Sequence, residues 1–155
     1  LGWSLVQTAI WKSRKPNVEA AADGSITLTA ADANLAGQGE ARVNDYAGKN
    51  NIGWWDSAEQ WLEWKVDVSQ SGTYRVELEY SLPGDLATDF NLTCGDESLA
   101  LTANGTGGWD QWGKMTAGEM TLSEGDGQVI SFKVTRLPRP ESVLNFVQFR
   151  LIPIK

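Results

Sequence analysis

The sequence predicts an all-β protein, a β-sandwich of the jelly-roll type. Short stretches in which apolar and polar residues alternate recur along the chain, as they do in half-buried β-strands. Turn residues interrupt these stretches about every 8–12 residues, which gives about nine or ten strands. The one stretch with helical character, residues 18–24, is ended by Asp23 and Gly24.

The clearest alternation lies in residues 62–68 and 74–80. In the first run the residues from Leu62 to Val68 alternate between apolar side chains and charged ones. In the second run Arg75, Glu77 and Glu79 are predicted to face water. A short loop containing Gly72 separates the runs, so we expect an antiparallel hairpin with one buried face. Such a face needs a second sheet to cover it.

The remaining strands follow from the same pattern and from the turns between them. They are predicted at residues 25–31, 87–94, 98–102, 114–122, 128–136 and 143–152. Residues 34–51 are polar and glycine-containing, and residues 103–113 are glycine-rich, so both are predicted to be loops. In the last strand we expect Asn145, Val147, Phe149 and Leu151 on one face, with Val147 and Phe149 mostly buried between the sheets.

Composition narrows the class of protein. A chain of 155 residues is the length of one domain with its own core. The net charge of −7 argues against nucleic acid as a partner, and no apolar run is long enough for a membrane-spanning helix. The chain has no His, and its single cysteine, Cys94, lies in an alternating run and is predicted to be buried.

The N-terminal region has a different character from the rest. The chain begins at Leu1 with neither a Met nor a signal sequence, which suggests a piece excised from a longer protein. Residues 1–17 contain two Trp and a small basic cluster but follow neither structural period. We interpret residues 1–17 as a lead-in or linker segment and residues 18–155 as a single β-sandwich domain.

The candidate binding residues are aromatic and amide side chains in the two predicted loops. Tyr46 and Asn50 lie in the first loop, and Trp109 and Asp110 lie among glycines in the second. Aromatic rings pack on the C–H faces of sugars, while amides and carboxylates bond the hydroxyls, so a sugar site is one interpretation. In the other, Trp109 folds back and plugs the end of the sandwich.

The other tryptophans and the acids have simpler interpretations. Core packing is predicted for Trp54, Trp55, Trp61 and Trp64, and a structural role for Trp112. Four carboxylates lie near turns, but nothing in the sequence fixes two of them at the separation that glycoside hydrolysis requires. They are Asp56, Glu59, Glu63 and Asp110. A catalytic domain is therefore not the favoured interpretation.

Four stretches, taken in order, resemble the family 6 carbohydrate-binding modules. Residues 52–56 (Ile-Gly-Trp-Trp-Asp) through 61–64, followed by residues 71–76, resemble the central block of that family. Residues 106–112 resemble its sugar-stacking loop, and residues 144–149 its last strand. Still more similar are the galactose-binding-like domains appended to bacterial α-fucosidases, sulfatases and other glycan-degrading enzymes. The resemblance covers roughly residues 25–154.

The resemblance implies roles for particular residues. Trp109 matches the Trp that stacks on a pyranose ring, and Asn145 matches the Asn that bonds its hydroxyls. Where the family has a second stacking aromatic, this chain has Asn51. Three readings remain open at that point: Tyr46 supplies the second ring, the cleft is open on one side, or no sugar is bound.

The resemblance also bears on metal binding. The family's structural calcium uses two Glu, and Thr29 and Ala31 stand at those positions here, which argues against the calcium. A site of backbone carbonyls with Asp32 or Glu40 would be the alternative. No cofactor is otherwise predicted.

The function implied is that of a non-catalytic carbohydrate-binding module. Its partners would be an oligo- or polysaccharide and a catalytic domain of the same parent chain, a secreted glycan-degrading enzyme such as a glycoside hydrolase or sulfatase. The expected location is extracellular or periplasmic, with no nucleic-acid or membrane partner. The alternative is a structural module that packs against or spaces a catalytic domain without binding sugar.

Overall fold

The computed structural model describes residues 15–137 and 142–154, which form two packed β-sheets. These residues contain twelve strands and no helix, so no helix in this part of the chain could span a membrane. The predicted all-β sandwich is confirmed. The strands are β1 Val18–Glu19, β2 Ile26–Thr29, β3 Asn34–Gly37, β4 Arg42–Tyr46, β5 Lys49–Gly53, β6 Gln60–Val68, β7 Gly72–Leu82, β8 Ala87–Cys94, β9 Glu97–Asn104, β10 Gly108–Leu122, β11 Gly125–Arg136 and β12 Asn145–Pro153.

Each sheet has six strands. The first has the order β1-β6-β11-β8-β9, with β3 also paired to β6. The second has the order β10-β7-β12-β5-β4, with β2 also paired to β12. Successive strands often lie in different sheets, so the chain crosses the sandwich repeatedly.

The core lies between the sheets and is rich in aromatic rings. The alternation predicted for β6 is confirmed, since Leu62, Trp64 and Val66 have no exposed surface. Phe132 stacks on Phe90 with ring centroids 4.1 Å apart and meets other rings edge-on. The indole Nε1 of Trp64 donates to the carbonyl of Thr29 at 3.0 Å, so this buried ring keeps a polar partner.

The hairpin predicted for β6 and β7 is wrong, because the two strands lie in opposite sheets. β6 pairs with β11, β1 and β3, whereas β7 pairs with β10 and β12. The apolar faces of two consecutive strands can be buried by facing each other across a core as well as by lying side by side. The connection is held by the Tyr74 hydroxyl, which donates to the Gln70 carbonyl at 2.6 Å.

A β-bulge in β12 divides the predicted face of the last strand, of which Phe149 and Leu151 are buried. Phe146 pairs with Tyr80 while Gln148 pairs with Glu79, so Val147 is an extra residue. The bulge shifts the alternation by one: Phe146 and Phe149 are both fully buried, whereas Asn145 and Val147 are half-buried. Val147 therefore does not belong to the core as predicted.

Two predicted loops are largely strand. Residues 34–51 contain β3, β4 and most of β5, and β10 begins at Gly108 within the predicted glycine-rich loop. β4 is an edge strand whose residues are mostly exposed. Its sequence therefore lacks the apolar alternation by which a half-buried strand is predicted. Its pairing with β5 is fixed by backbone register and by the buried Asn51 side chain.

Glu79, which was predicted to face water, is buried. Gln148 on the adjoining strand β12 and Lys49 on β5, the next strand beyond it, contact its carboxylate, and its side chain is 8% exposed. Lys49 Nζ lies 2.7 Å from one carboxylate oxygen, and Gln148 Nε2 donates to the other at 3.3 Å. The carboxylate is thus tolerated inside because both of its oxygens have partners.

The lead-in segment predicted for residues 1–17 falls mostly outside the described residues, and so do residues 138–141. The described part begins with Lys15, whose backbone N–H donates to Asn34, and Asn17, whose amide donates to Asp67 at 3.0 Å. The division into residues 1–17 and 18–155 remains a prediction.

Candidate functional site

A cleft opens at one end of the second sheet, where four strand ends meet. Asn145 at the start of β12 is paired with Ser81 near the end of β7, and Gly108 at the start of β10 is paired with Leu82. At the same end, Phe146 is paired with Ile52 in the last part of β5. Residues far apart in sequence are therefore brought to one edge of the sandwich.

The cleft has a volume of about 640 Å³ and mixed aromatic, amide and charged walls. A cavity of this size is within the range of small-molecule sites. It is lined by Glu40, Arg42, Asn44, Tyr46, Gly53, Trp54, Trp55, Asp56, Trp109, Ser142, Leu144 and Asn145.

Trp54 is the most exposed aromatic side chain of the cleft, with 59% of its surface accessible. The core position predicted for it is wrong. β5 ends at Gly53, and Trp54 then adopts a left-handed backbone with φ of 60°, which turns its ring out of the sandwich. A bulky residue rarely adopts this conformation, and such strain is concentrated at functional sites.

Arg42 lies over the Trp54 ring from the neighbouring strand. Its guanidinium carbon is 4.7 Å from the ring centroid, which is a cation–π contact. Arg42 is paired with Gly53 across β4 and β5, so the backbone register sets this contact. The stacking restrains a ring that otherwise stands in solvent.

Trp55, the next residue, points the opposite way and anchors the segment. It is 2% exposed, and its ring lies 5.8 Å from the rings of both Phe90 and Phe132. Its Nε1 donates to the Gln60 carbonyl at 3.0 Å. The predicted core position is confirmed for Trp55 and Trp64, whereas Trp61 is half-buried on the outer face of β6.

Trp109 lies in the cleft but does not project freely into solvent. It is half-buried and packs against the core, and its carbonyl accepts a hydrogen bond from the Ser81 hydroxyl at 2.7 Å. Because Ser81 is also paired with Asn145, the three residues lie side by side on β10, β7 and β12. The binding role of Trp109 stays a prediction.

The loop before Trp109 is held against the end of β7. Thr106 Oγ1 accepts the Leu82 N–H and donates to the Leu82 carbonyl, both at 3.1 Å. A Cβ on Gly105 would lie 2.3 Å from the Pro83 carbonyl oxygen, so only glycine fits this close approach. Gly105 thus allows the loop to lie close to the end of β7.

Tyr46 reaches the cleft from the β4–β5 hairpin. Its ring meets Trp112 edge-on, with centroids 6.4 Å apart. Trp112 Nε1 donates to the Ala47 carbonyl at 3.0 Å and so ties β10 to the hairpin turn. The structural role predicted for Trp112 agrees with these contacts.

Of the five predicted site residues, the structure brings three together. Tyr46, Trp109 and Asn145 line the cleft, whereas Asn50 and Asp110 do not. The Asn50 amide donates to Asp45 at 3.1 Å within the hairpin, and Asn50 borders a separate shallow pocket beside Glu79. Asn50 was placed by loop composition, which does not reveal the direction of a strand side chain.

Asn51 occupies the position where the resemblance expected a second aromatic, and it is fully buried. Its Nδ2 donates to the carbonyls of Asn44 and Lys49, at 3.3 and 3.1 Å. Trp54 supplies an aromatic ring to the cleft three residues later. Strand alternation gives no signal for it, because β5 ends at Gly53 and the Trp54 backbone is left-handed.

Among the residues that the structure describes, charged groups surround the cleft without forming an ion pair there. Asp56 accepts the Glu40 N–H at 3.4 Å, and Arg42 Nη1 donates to the Glu40 carbonyl, also at 3.4 Å. Within residues 15–137 and 142–154, no salt bridge involves Arg42 and no group of three or more acidic, His or Cys side chains could hold a metal ion. Thr29, at a predicted calcium position, instead accepts the Asp32 N–H at 3.2 Å.

No protein-family model and no curated protein matches this chain. The fold, in contrast, is well represented among solved structures. A family 35 carbohydrate-binding module from Clostridium thermocellum matches with a TM-score of 0.68 and 17% identity, over 84% of this chain and 98% of that one.

Two further structures show the fold in different settings. A carbohydrate-binding module of Cellvibrio mixtus lichenase 5A, solved with cellotriose, matches with a TM-score of 0.60 and 23% identity, over 83% of this chain and 97% of that one. The GH26-CBM35 β-(1,4)-mannanase of Podospora anserina matches with a TM-score of 0.62 and 18% identity, over 86% of this chain and 28% of that one. The chain therefore has the fold of family 6 and family 35 carbohydrate-binding modules, and the fold of family 6 is the one that the resemblance implied.

Proposed function

We propose that this protein is a non-catalytic carbohydrate-binding module that binds a glycan in the cleft at the end of its second sheet. The observation that carries the proposal is the position of Trp54. Its indole is 59% exposed in a strained backbone conformation, in the same cleft as Trp109 and Asn145. Exposing a large aromatic ring has no benefit for folding, so a ligand is the reason we assign to it.

The chemistry of the cleft suits a sugar ring. Trp54, Trp109 and Tyr46 offer aromatic surface for the C–H faces of a pyranose, and Asn145 offers an amide to its hydroxyls. The cleft carries both signs of charge, which favours a neutral or lightly charged glycan over a polyanion. Few contacts are available in an open site, so we expect dissociation constants of about 10 µM to 1 mM.

We further propose a secreted parent enzyme with a catalytic domain, so that the module acts outside the cytoplasm. The Podospora anserina mannanase supports this arrangement, since its name joins a GH26 domain to a CBM35 domain in one protein. A glycoside hydrolase or a sulfatase would each be a suitable parent for a glycan-binding module. The binding role does not depend on which of them is present.

A structural module is the second candidate. Val43 and Tyr46, both on the edge strand β4, are about two-fifths exposed, and with Trp54 they would also serve as a contact surface for another domain. The same fold carries many functions, so the fold does not choose between these candidates.

The test is a glycan array followed by titration with any oligosaccharide that binds. Replacing Trp54 with Ala should weaken binding at least about tenfold, because it removes the ring on which the sugar stacks. For comparison, a nucleic-acid base stacked on an aromatic side chain contributes about 1–3 kcal/mol. The matched control is Trp61→Ala, because Trp61 also has a cation 4.7 Å from its ring centroid, from Lys133, but lies outside the cleft.

Two outcomes would contradict the proposal. One is an array without any positive signal for the folded wild-type protein, which would favour the structural module. The other is equal loss of binding in the Trp54 and Trp61 variants, which would place the sugar elsewhere. Circular dichroism of both variants shows whether each is folded before its binding is compared.

A further inference from the structure

A bulge in β10 carries two tryptophans that have different contacts. Between Gly108 and Gly113, β10 advances five residues while its partner β7 advances only two. The extra residues leave the ladder of the second sheet. Trp109, at the start of this bulge, lines the cleft, whereas Trp112, at its end, does not.

Trp112 joins the two opposite edges of the second sheet. β10 and β4 are its outermost strands, with β7, β12 and β5 between them. In a flat sheet of five strands the outermost two would lie about 19 Å apart. Trp112 Nε1 nevertheless donates to the Ala47 carbonyl, in the turn between β4 and β5, at 3.0 Å. The sheet therefore curves toward the bulge, and the Trp112 side chain lies across its concave face.

Tyr46 completes this crossing from the side of the hairpin. Its ring meets the Trp112 ring edge-on, with centroids 6.4 Å apart. The turn that follows consists of Ala47 and Gly48, and both have a left-handed backbone, with φ of 48° and 85°, as a type I′ hairpin turn requires. The turn that accepts the Trp112 hydrogen bond thus has a defined shape. We call the rings of Tyr46 and Trp112 the back wall.

The back wall lies between the cleft and the shallow pocket beside Glu79. Tyr46 lines the cleft, and Lys49, its partner across β4 and β5, lines the shallow pocket. On β7 the order is the same, since Ser81 is bonded to Trp109 at the cleft and Glu79 lies two residues earlier. Among the described residues none lines both cavities. The cleft is therefore closed on this side.

We propose that the back wall makes this cleft a site for the end of a glycan chain. In a 1,4-linked chain each interior pyranose is extended at opposite ends of its ring, so it needs an opening on both sides. A ring seated against the back wall can be extended only toward the open end of the sandwich. The inference rests on the proposed function and specifies the part of a glycan that is bound.

A second layer lies behind the two rings. Lys49 Nζ is 2.7 Å from a carboxylate oxygen of Glu79, whose side chain is 8% exposed. A chain that continued past the wall would have to displace packed rings and also separate this ion pair. Separating a buried pair is costly, because it leaves a charge without its partner.

Trp112 is the positioning residue of this arrangement. It does not line the cleft, and it acts through Tyr46 and the hairpin turn. The Trp112→Ala variant removes one ring of the back wall together with the hydrogen bond to the turn. The Trp112→Phe variant is the matched control, because it keeps an aromatic ring beside Tyr46 and loses the Nε1 donor.

The experiment measures how binding depends on chain length at equal sugar mass. NMR shifts of the tryptophan indoles are followed during titration with cellohexaose, xylohexaose and mannohexaose. Each is compared with a soluble polymer of known mean length, namely mixed-linkage β-glucan, linear xylan and glucomannan, before and after partial hydrolysis. If the array identifies another glycan, its own hexasaccharide and polymer are used.

For the wild type we expect affinity to follow the number of chain ends. The dissociation constant per mole of chains should stay within about twofold from polymer to hexasaccharide, so that hydrolysis increases binding at equal mass. Trp112→Phe should behave in the same way. In Trp112→Ala, by contrast, the polymer and its hydrolysate should bind equally well at equal mass, because the interior of a chain can then enter.

The outcomes distinguish the two proposals. If neither these chains nor any array glycan binds, the proposed function fails and the chain-end inference fails with it. If the wild type binds polymer and hexasaccharide equally at equal mass, the cleft accepts chain interiors and only the chain-end inference is wrong. If folded Trp112→Ala keeps the wild-type dependence on chain length, the back wall does not set it and the inference is overturned. Circular dichroism shows whether this variant folds, and if it does not, the wild-type comparison decides.

Discussion

Trp54 and Trp55 are adjacent in the chain and have opposite environments. Trp55 is 2% exposed among core rings, while Trp54 is 59% exposed in the cleft. The left-handed backbone at Trp54, with φ of 60°, allows the chain to leave β5 and present the ring to solvent. A ring held out by a costly conformation is consistent with selection for binding rather than for stability.

Two variants at Trp54, Trp54→Gly and Trp54→Ala, should differ in their free energy of unfolding. Glycine adopts the left-handed region at no steric cost, whereas alanine retains the strain. We therefore expect the Trp54→Gly protein to be more stable than Trp54→Ala by about 1 kcal/mol in urea unfolding. Trp55→Ala serves as the reference for a buried ring. It should lower the free energy of unfolding by about 3–5 kcal/mol, because it leaves a core cavity. A Trp54→Gly protein less stable than Trp54→Ala would mean that the backbone there is not strained.

At the scale of elements, the first sheet is held on its outer face by polar side chains that join neighbouring strands. Asp89 on β8 accepts Arg136 Nε from β11 at 2.7 Å and the Thr102 hydroxyl from β9, also at 2.7 Å. The Arg136 hydrogen bond, followed by that of Thr102, holds the pKa of Asp89 below its ordinary value. One carboxylate thus connects three adjacent strands.

This arrangement predicts a pH-dependent effect of Asp89→Asn. Because the folded pKa lies below the unfolded one, the ionised carboxylate stabilises the fold above the unfolded pKa of about 3.9. That stabilisation is lost as the pH falls through the lower, folded value. In urea unfolding, Asp89→Asn should therefore be less stable than the wild type at pH 7, and the difference should shrink progressively below about pH 4.

The control for this experiment is Asp96→Asn, in the exposed turn between β8 and β9. Asp96 accepts no side-chain hydrogen bond from the neighbouring strands in the described residues. Its variant should differ little from the wild type at either pH. If the difference in unfolding free energy between Asp89→Asn and the wild type stays constant from pH 7 to pH 3, the effect comes from the packing of the side chain and not from its charge.

At the scale of the whole molecule, two six-stranded sheets enclose one core of aromatic and aliphatic side chains. The residues described contain no cluster of acids that could hold a metal ion between these sheets or at their ends. The resemblance implies that Thr29 and Ala31 occupy the positions of the family's calcium-binding Glu residues. The burial of apolar side chains is then the main source of stability.

Removing divalent metals should therefore change the stability little. We expect EDTA to shift the melting temperature by less than about 4 °C, which corresponds to roughly 1 kcal/mol for a domain of this size. Differential scanning calorimetry with and without excess calcium provides the measurement. A larger drop that calcium reverses would mean that backbone carbonyls, with Asp32 or Glu40, form a site that the acidic side chains alone do not reveal.

Part of the candidate site was accessible from sequence. Trp109 and Asn145 were identified by resemblance, and Tyr46 by its loop composition, and all three line the cleft. Trp54 is predicted in the core because its segment resembles a strand, but the strand ends at Gly53 and the left-handed backbone of Trp54 is not visible in the sequence. Arg42, Asn44 and Gly53 were missed because their positions in the cleft depend on the pairing of β4 with β5. A polar, amide-rich sequence has no apolar alternation from which this pairing could be predicted.

Apolar alternation in the sequence was sufficient to predict the fold class and the burial of alternate residues in β6, because period-two alternation is a local property of the chain. The tertiary structure alone decided which strands are neighbours. β6 and β7 lie in opposite sheets and the bulge at Val147 resets the face of β12, because apolar faces can be covered in more than one way and the choice depends on every other strand. The cleft exists for the same reason, since Trp54, Trp109 and Asn145 meet through long-range strand pairing and not through sequence proximity.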